Sequence, residues 1–124
     1  MAKTIDISFK PFEGKVILHD PLTLPMVLAF EEALTTSGEF HEEKEVDGET
    51  LRVLKPNLMP GKRDAEYVKA ILPSVEKWEL TNFPENVTAE TFPFTPRRAS
   101  SELVNTLMLA MFEIYRGEVE VPNE

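Results

Sequence analysis

The chain has 124 residues, no cysteine, and 22 acidic against 13 basic side chains, which gives a net charge of −9. The absence of cysteine excludes disulfides and thiolate metal sites. The acidic excess disfavours nucleic-acid binding, because phosphate contacts require Lys and Arg. The length fits one domain spanning residues 1–124. The first residues contain no apolar run of the kind found in signal peptides, so we expect a cytoplasmic protein.

The N-terminal residues show the periodicity of β-strands. Ile5, Ile7 and Phe9 alternate with polar residues, and a second short apolar run follows a break that contains proline and glycine. Alternation of this kind is typical of a strand with one buried face. The pattern predicts a β-hairpin over residues 4–18, and the helical spacing that follows predicts a helix over residues 24–36.

Residues 39–50 form a charged stretch around Asp47 and Gly48. This dipeptide favours a two-residue hairpin turn, because both positions tolerate positive φ. Two interpretations stay open for the stretch, a charged hairpin within residues 40–54 or a mobile loop. Its acidic side chains lack the ligand spacing of a calcium-binding loop, so we interpret them as a solvated charged surface.

A second helix is predicted over residues 63–72, with Asp64 as a candidate N-cap and Pro73 near its end. Trp78 then lies in a short extended segment or in a last helical turn. Residues 84–96 contain three prolines, and we expect them to be ordered but irregular.

The strongest signal is the stretch Thr95–Gly117, which predicts a helix over about residues 99–116. Pro96 suits a first helical turn, and Gly117 is expected to end the helix. Two adjacent apolar stripes give this helix more apolar surface than a helix on the surface of a globule needs. The helix is therefore either central to the monomer core or also buries one face in a homo-oligomer or a partner.

A membrane span is not expected, because the apolar run holds Glu102 and Glu113 and is shorter than the roughly 20 residues that a span needs. Trp78 is the only tryptophan, and it is either a core anchor or an interface anchor. The predicted partner or oligomer interface combines it with residues of the last helix: Trp78, Leu103, Val104, Leu107, Met108, Met111, Phe112 and Tyr115.

No sequence motif indicates catalysis. His19 and His41 have no partner at a metal-binding spacing such as HExxH. The serines lie outside any nucleophile-elbow motif, and no glycine-rich turn is present to hold a phosphate. We therefore expect no cofactor, no metal and no enzymatic activity.

The order of motifs in the C-terminal half carries a family resemblance. A W-x-L-x-N step at residues 78–82 follows a helix, and a PFTP connector at residues 93–96 leads into the long last helix. Over residues 64–117 this order resembles the tail assembly chaperones of long-tailed phages and prophages, and related small phage tail proteins.

The resemblance implies a non-enzymatic protein that binds the tape measure protein, or another tail component, while the tail tube polymerises. It also implies self-association and action in the host-cell cytoplasm. A groove bordered by Leu103, Leu107, Met111 and Ile114 is the expected place for an amphipathic client helix. The alternative is a structural virion component, such as a tail or head–tail adapter subunit.

The predicted fold class is α+β. It combines a short N-terminal β-hairpin with three helices over residues 24–36, 63–72 and 99–116, of which the last is central. A mostly helical domain is the alternative. Residues 118–124 are expected to form a flexible tail.

Overall fold

The computed structural model describes residues 2–36, 39–56 and 58–119. Within these ranges the protein is α+β, with three helices and two antiparallel sheets, which confirms the predicted fold class. In chain order the elements are β1 (Ala2–Phe9), β2 (Phe12–His19), α1 (Leu24–Thr36), β3 (Glu39–Val46), β4 (Glu49–Pro56), α2 (Pro60–Ser74), β5 (Val75–Leu80) and α3 (Arg97–Val119).

The larger sheet has the strand order β1-β2-β5, so a third strand joins the predicted N-terminal hairpin. This strand contains Trp78, which lies opposite Val16 of β2 in an antiparallel pair. The extended interpretation of the Trp78 segment is therefore the correct one. The third strand completes a three-stranded sheet. An isolated two-stranded hairpin is only marginally stable in water, so β5 stabilises the N-terminal hairpin.

The alternation of side chains gives this sheet one apolar face and one charged face. Ile7 and Val16 are buried on the face that the helices cover. On the exposed face, Asp6 is in register with Lys15, and Lys15 is in register with Glu79. Opposite charges thus alternate across the three strands, and both faces favour the same register.

Gly14 is required where β2 meets β5. Its φ is +141°, and a Cβ added to it would lie 2.0 Å from the carbonyl oxygen of Glu79. No side chain can occupy that space without moving one strand away from the other. The close approach of the two backbones therefore depends on this glycine.

The helices cover the apolar face of the sheet, with α3 at their centre. α3 packs against β1 and α2, and α2 packs in turn against α1 and β5. α1 also reaches α3, because the ring centroid of Phe30 lies 5.4 Å from that of Tyr115. The sheet and two helices therefore share the wide apolar surface of α3.

Residues 84–96 are irregular, as predicted, and bring aromatic rings onto the end of the sheet. Phe92 is buried, and its ring centroid lies 6.2 Å from that of Trp78 and 5.7 Å from that of Phe83. The Trp78 and Phe83 rings are stacked with centroids 4.9 Å apart. These contacts hold the connector between β5 and α3 against the core.

Two predicted helix ends are wrong. α2 begins at Pro60, so Asp64 lies inside the helix and is not its N-cap. α3 continues through Gly117 to Val119, because Gly117 does not adopt the positive φ that would end a helix. Glu118 and Val119 therefore belong to α3 and not to a tail, and residues 120–124 lie outside the described residues.

The charged stretch after α1 is a hairpin and not a mobile loop. β3 and β4 pair with each other in register from Glu39–Pro56 to Val46–Glu49. Asp47 and Gly48 connect them with φ values of 52° and 80°. Positive φ at both central residues is the geometry that the Asp-Gly sequence predicts.

Replacing Gly14 with Ala should lower the free energy of unfolding by roughly 1–3 kcal/mol, because the Cβ meets the β5 backbone at a strained φ. Chemical denaturation followed by circular dichroism measures the change. Gly117→Ala is the matched control, because a Cβ there meets nothing within 4 Å. In a helix interior that change should stabilise by up to about 1 kcal/mol. Equal stability of the two variants would contradict the assignment.

Candidate functional site

Most of the predicted interface residues belong to the core. Leu103, Val104, Leu107 and Met111 have no solvent-exposed surface, and Ile114 is also buried. In the folded chain these side chains are enclosed by the core and present no surface to a partner.

The other predicted interface residues differ in their accessibility. Met108 is almost completely buried, whereas Phe112 is 39% exposed. Tyr115 is half-buried, with its ring centroid 6.3 Å from that of Phe112. Trp78 is half-buried within the aromatic cluster on β5, where it anchors the connector. The structure therefore brings together only Met108, Phe112 and Tyr115 near the surface of α3.

An open groove of about 400 Å³ lies between the three helices beside these residues. One wall comes from α1, one from α2, and the floor and far wall from α3. Its volume lies at the lower end of the range found for binding pockets. The lining residues are Phe30, Leu34, Tyr67, Asn105, Met108, Leu109 and Phe112. This apolar groove is the candidate site.

Leu109 lines the groove but does not belong to the predicted interface. It is 67% exposed at the edge of the groove. On the exposed side of α3 it lies four residues from Asn105 and seven residues from both Glu102 and Arg116, so it interrupts a row of polar side chains. That interruption is visible in the sequence. The contributions of Phe30, Leu34 and Tyr67 depend on how α1 and α2 pack, and no sequence signal indicates them.

Two hydrogen bonds tie the C-terminal part of α3, just beyond the groove, to neighbouring elements. The Tyr115 hydroxyl donates to Glu31 Oε2 at 2.8 Å and ties α3 to α1. This hydrogen bond, with smaller contributions from burial and the Glu31 charge, raises the pKa of Tyr115 above its usual value. On the other side, Lys3 Nζ donates to Glu113 Oε2 at 2.7 Å and holds the pKa of the Glu113 carboxyl below its usual value.

Asp64 joins α2 to the first turn of α3. Its carboxylate is fully buried, and Oδ2 accepts hydrogen bonds of 2.7 Å from both Arg97 and Ser101. Its other oxygen, Oδ1, lies 4.0 Å from Nε of Arg63. A buried carboxylate is stable only when it is paired and hydrogen-bonded. The network therefore holds the α2 and α3 walls of the groove at a fixed separation.

His19 is not part of a metal-binding cluster among the described residues. His19 Nδ1 lies 4.0 Å from Glu76 Oε2, and the side chain of His41 lies outside the described residues. No group of three or more His, Asp or Glu side chains in the described ranges could hold a metal ion. None of the helices described is long and apolar enough to cross a bilayer.

Comparison with known proteins gives no relative. No protein-family model, curated protein or solved structure matches the chain.

Replacing Arg97 with Ala should lower the free energy of unfolding by about 2–3 kcal/mol, because it removes the charged hydrogen-bond donor of the buried Asp64 carboxylate. Thermal or chemical denaturation measures the loss. The adjacent Arg98 has a side chain that is 94% exposed, so Arg98→Ala should change stability by no more than about 0.5 kcal/mol. A loss at Arg98 as large as that at Arg97 would refute the role of Asp64.

The Tyr115–Glu31 hydrogen bond should stabilise the protein below pH 10 and lose its effect at higher pH. A raised folded-state pKa means that the contribution is complete below the unfolded-state pKa of about 10 and declines as pH rises through the folded-state value. The measurement is the difference in unfolding free energy between the wild type and Tyr115→Phe from pH 7 to alkaline pH. A difference that stays constant through the tyrosine titration would rule out this linkage.

Proposed function

We propose that the protein is a non-enzymatic, assembly chaperone-like protein that binds an amphipathic helix of a client in the groove between its three helices. The observation that carries the proposal is the apolar groove itself, flanked by the exposed Leu109 and Phe112. Grooves of this kind receive the apolar face of a helix through anchors spaced one turn apart.

The arrangement of the groove supports binding of a helix more than binding of a small polar ligand. Its lining contains one polar side chain, Asn105, among apolar and aromatic ones. Among the described residues the Tyr67 hydroxyl is the one ionisable group of that lining, whereas an enzyme pocket usually has several convergent polar residues. The excess of acidic side chains over the whole chain favours a client whose helix carries basic residues beside its apolar stripe.

The family resemblance of residues 64–117 supports the tape measure protein of a phage tail as the client. In this proposal the groove covers an apolar stripe of that long helical protein until the tail tube encloses it. Covering the stripe would keep the client from aggregating. The protein would act in the host-cell cytoplasm and would associate with itself as well as with the client.

Leu109→Glu should weaken client binding at least about tenfold, because it places a charge at the mouth of an apolar groove. Binding is measured by fluorescence anisotropy with a labelled helical fragment of the tape measure protein encoded in the same genome. Leu24→Glu is the matched control, because Leu24 is 68% exposed on α1 and does not line the groove.

The two variants should have the same circular dichroism spectrum and the same unfolding midpoint as the wild type. Equal binding by both variants, or no binding by the wild-type protein, would sink the proposal. Detection of the protein in purified phage particles would indicate a structural virion component instead.

A further inference from the structure

The exposed side of α3 carries a second pattern besides the groove. Residues 98, 102, 105, 109, 112 and 116 are all exposed and are spaced alternately by four and three residues, which is the spacing of a helix–helix seam. The two central residues, Leu109 and Phe112, are apolar. The flanking residues are polar or charged, in the order Arg98, Glu102, Asn105 before them and Arg116 after them.

The pattern is complementary to itself when two copies of α3 lie antiparallel. With a two-fold axis between Leu109 and Phe112, Leu109 of each copy faces Phe112 of the other. Asn105 then lies level with the partner's Arg116, and Glu102 lies three residues further along, about 4.5 Å at 1.5 Å per residue. An Arg side chain spans that offset, so each dimer contains two Glu102–Arg116 contacts between copies.

A parallel arrangement of the same seam would be repulsive. It would place Arg98 opposite Arg98, Glu102 opposite Glu102 and Arg116 opposite Arg116. Like charges in register destabilise a helix pair and select against that orientation. The charge pattern therefore specifies an antiparallel, two-fold symmetric contact, which closes on itself.

We propose that, in the absence of client, a second copy of the chain occupies the groove through this antiparallel α3 seam. Leu109 and Phe112 line the groove, so the partner's Leu109 and Phe112 would cover its mouth in the dimer. The inference rests on the proposed function for one point, that the same groove receives the client helix. The second copy and the client then compete, and client binding converts dimers into monomeric complexes.

The contacts that the two charged residues make within one chain are compatible with this dimer. Glu102 forms an exposed 3.6 Å ion pair with Arg98, and the Arg116 guanidinium lies 5.9 Å from the centroid of the Phe112 ring. Both are surface contacts of small energy. Glu102 and Arg116 are also both exposed, so substitution of either should leave the fold intact, which makes the seam accessible to mutagenesis.

Exchange of the charges tests the seam without removing an apolar side chain. Glu102→Arg alone creates two Arg–Arg contacts, and Arg116→Glu alone creates two Glu–Glu contacts. Each variant should weaken the dimer about tenfold or more. An equimolar mixture of the two single variants should restore it, because both contacts between unlike copies join opposite charges. The double variant Glu102→Arg/Arg116→Glu should also dimerise.

Sedimentation velocity over a range of protein concentrations measures these equilibria, and circular dichroism verifies that every variant is folded. A wild-type chain that stays monomeric at all concentrations would overturn the inference. So would a dimer that the single substitutions leave unchanged or that mixing does not restore. Each of these results concerns the chain alone, so none depends on the client.

Titration with the tape measure fragment separates this inference from the proposed function. Competition requires that the fragment dissociate the wild-type dimer and that it bind better to the monomeric single variants. If the chain is monomeric and the fragment binds, the proposed function stands and the dimer inference fails. If the charge exchange behaves as expected but no form binds the fragment, the seam stands and the client groove is refuted.

Discussion

The burial of α3 is the constraint on which the rest of the structure depends. Leu103, Leu107 and Met111 are completely buried, and no single neighbour could cover the broad apolar surface to which they belong. β1 lies against one side of α3, and α2 and α1 lie against the others. Because three different elements pack against one helix, gaps remain between them, and the candidate groove is one of these gaps.

Much of the fold is predictable from the sequence because it follows from local patterns. Alternation predicts β1 and β2, helical spacing predicts α1, and the Asp47-Gly48 dipeptide predicts the turn of the second hairpin. The start of α2 and the end of α3 are not predicted correctly. At the start of α2 tertiary contacts decide, since Asp64 pairs with Arg97 and Ser101 of α3 instead of capping its own helix.

The candidate site is less predictable than the fold. Periodicity identifies α3 as too apolar for a surface helix, but it does not show which stripe the other elements bury. The most apolar stripe is the best covered, and the groove falls where a lone leucine, Leu109, interrupts a polar stripe. Phe30 and Leu34 enter the site only through the packing of α1, which depends on contacts far apart in the sequence.

The junction between α2 and β5 has a mechanical consequence for the groove. Ser74 ends the helix and Val75 begins the strand, so the two elements share no loop. Without a loop between them, a displacement of α2 is passed directly to β5, and the Asp64 network couples α3 to α2. α1 has neither of these restraints, so adjustment of the groove to occupants of different width requires α1 to shift against its ring contact and its Tyr115–Glu31 hydrogen bond to α3.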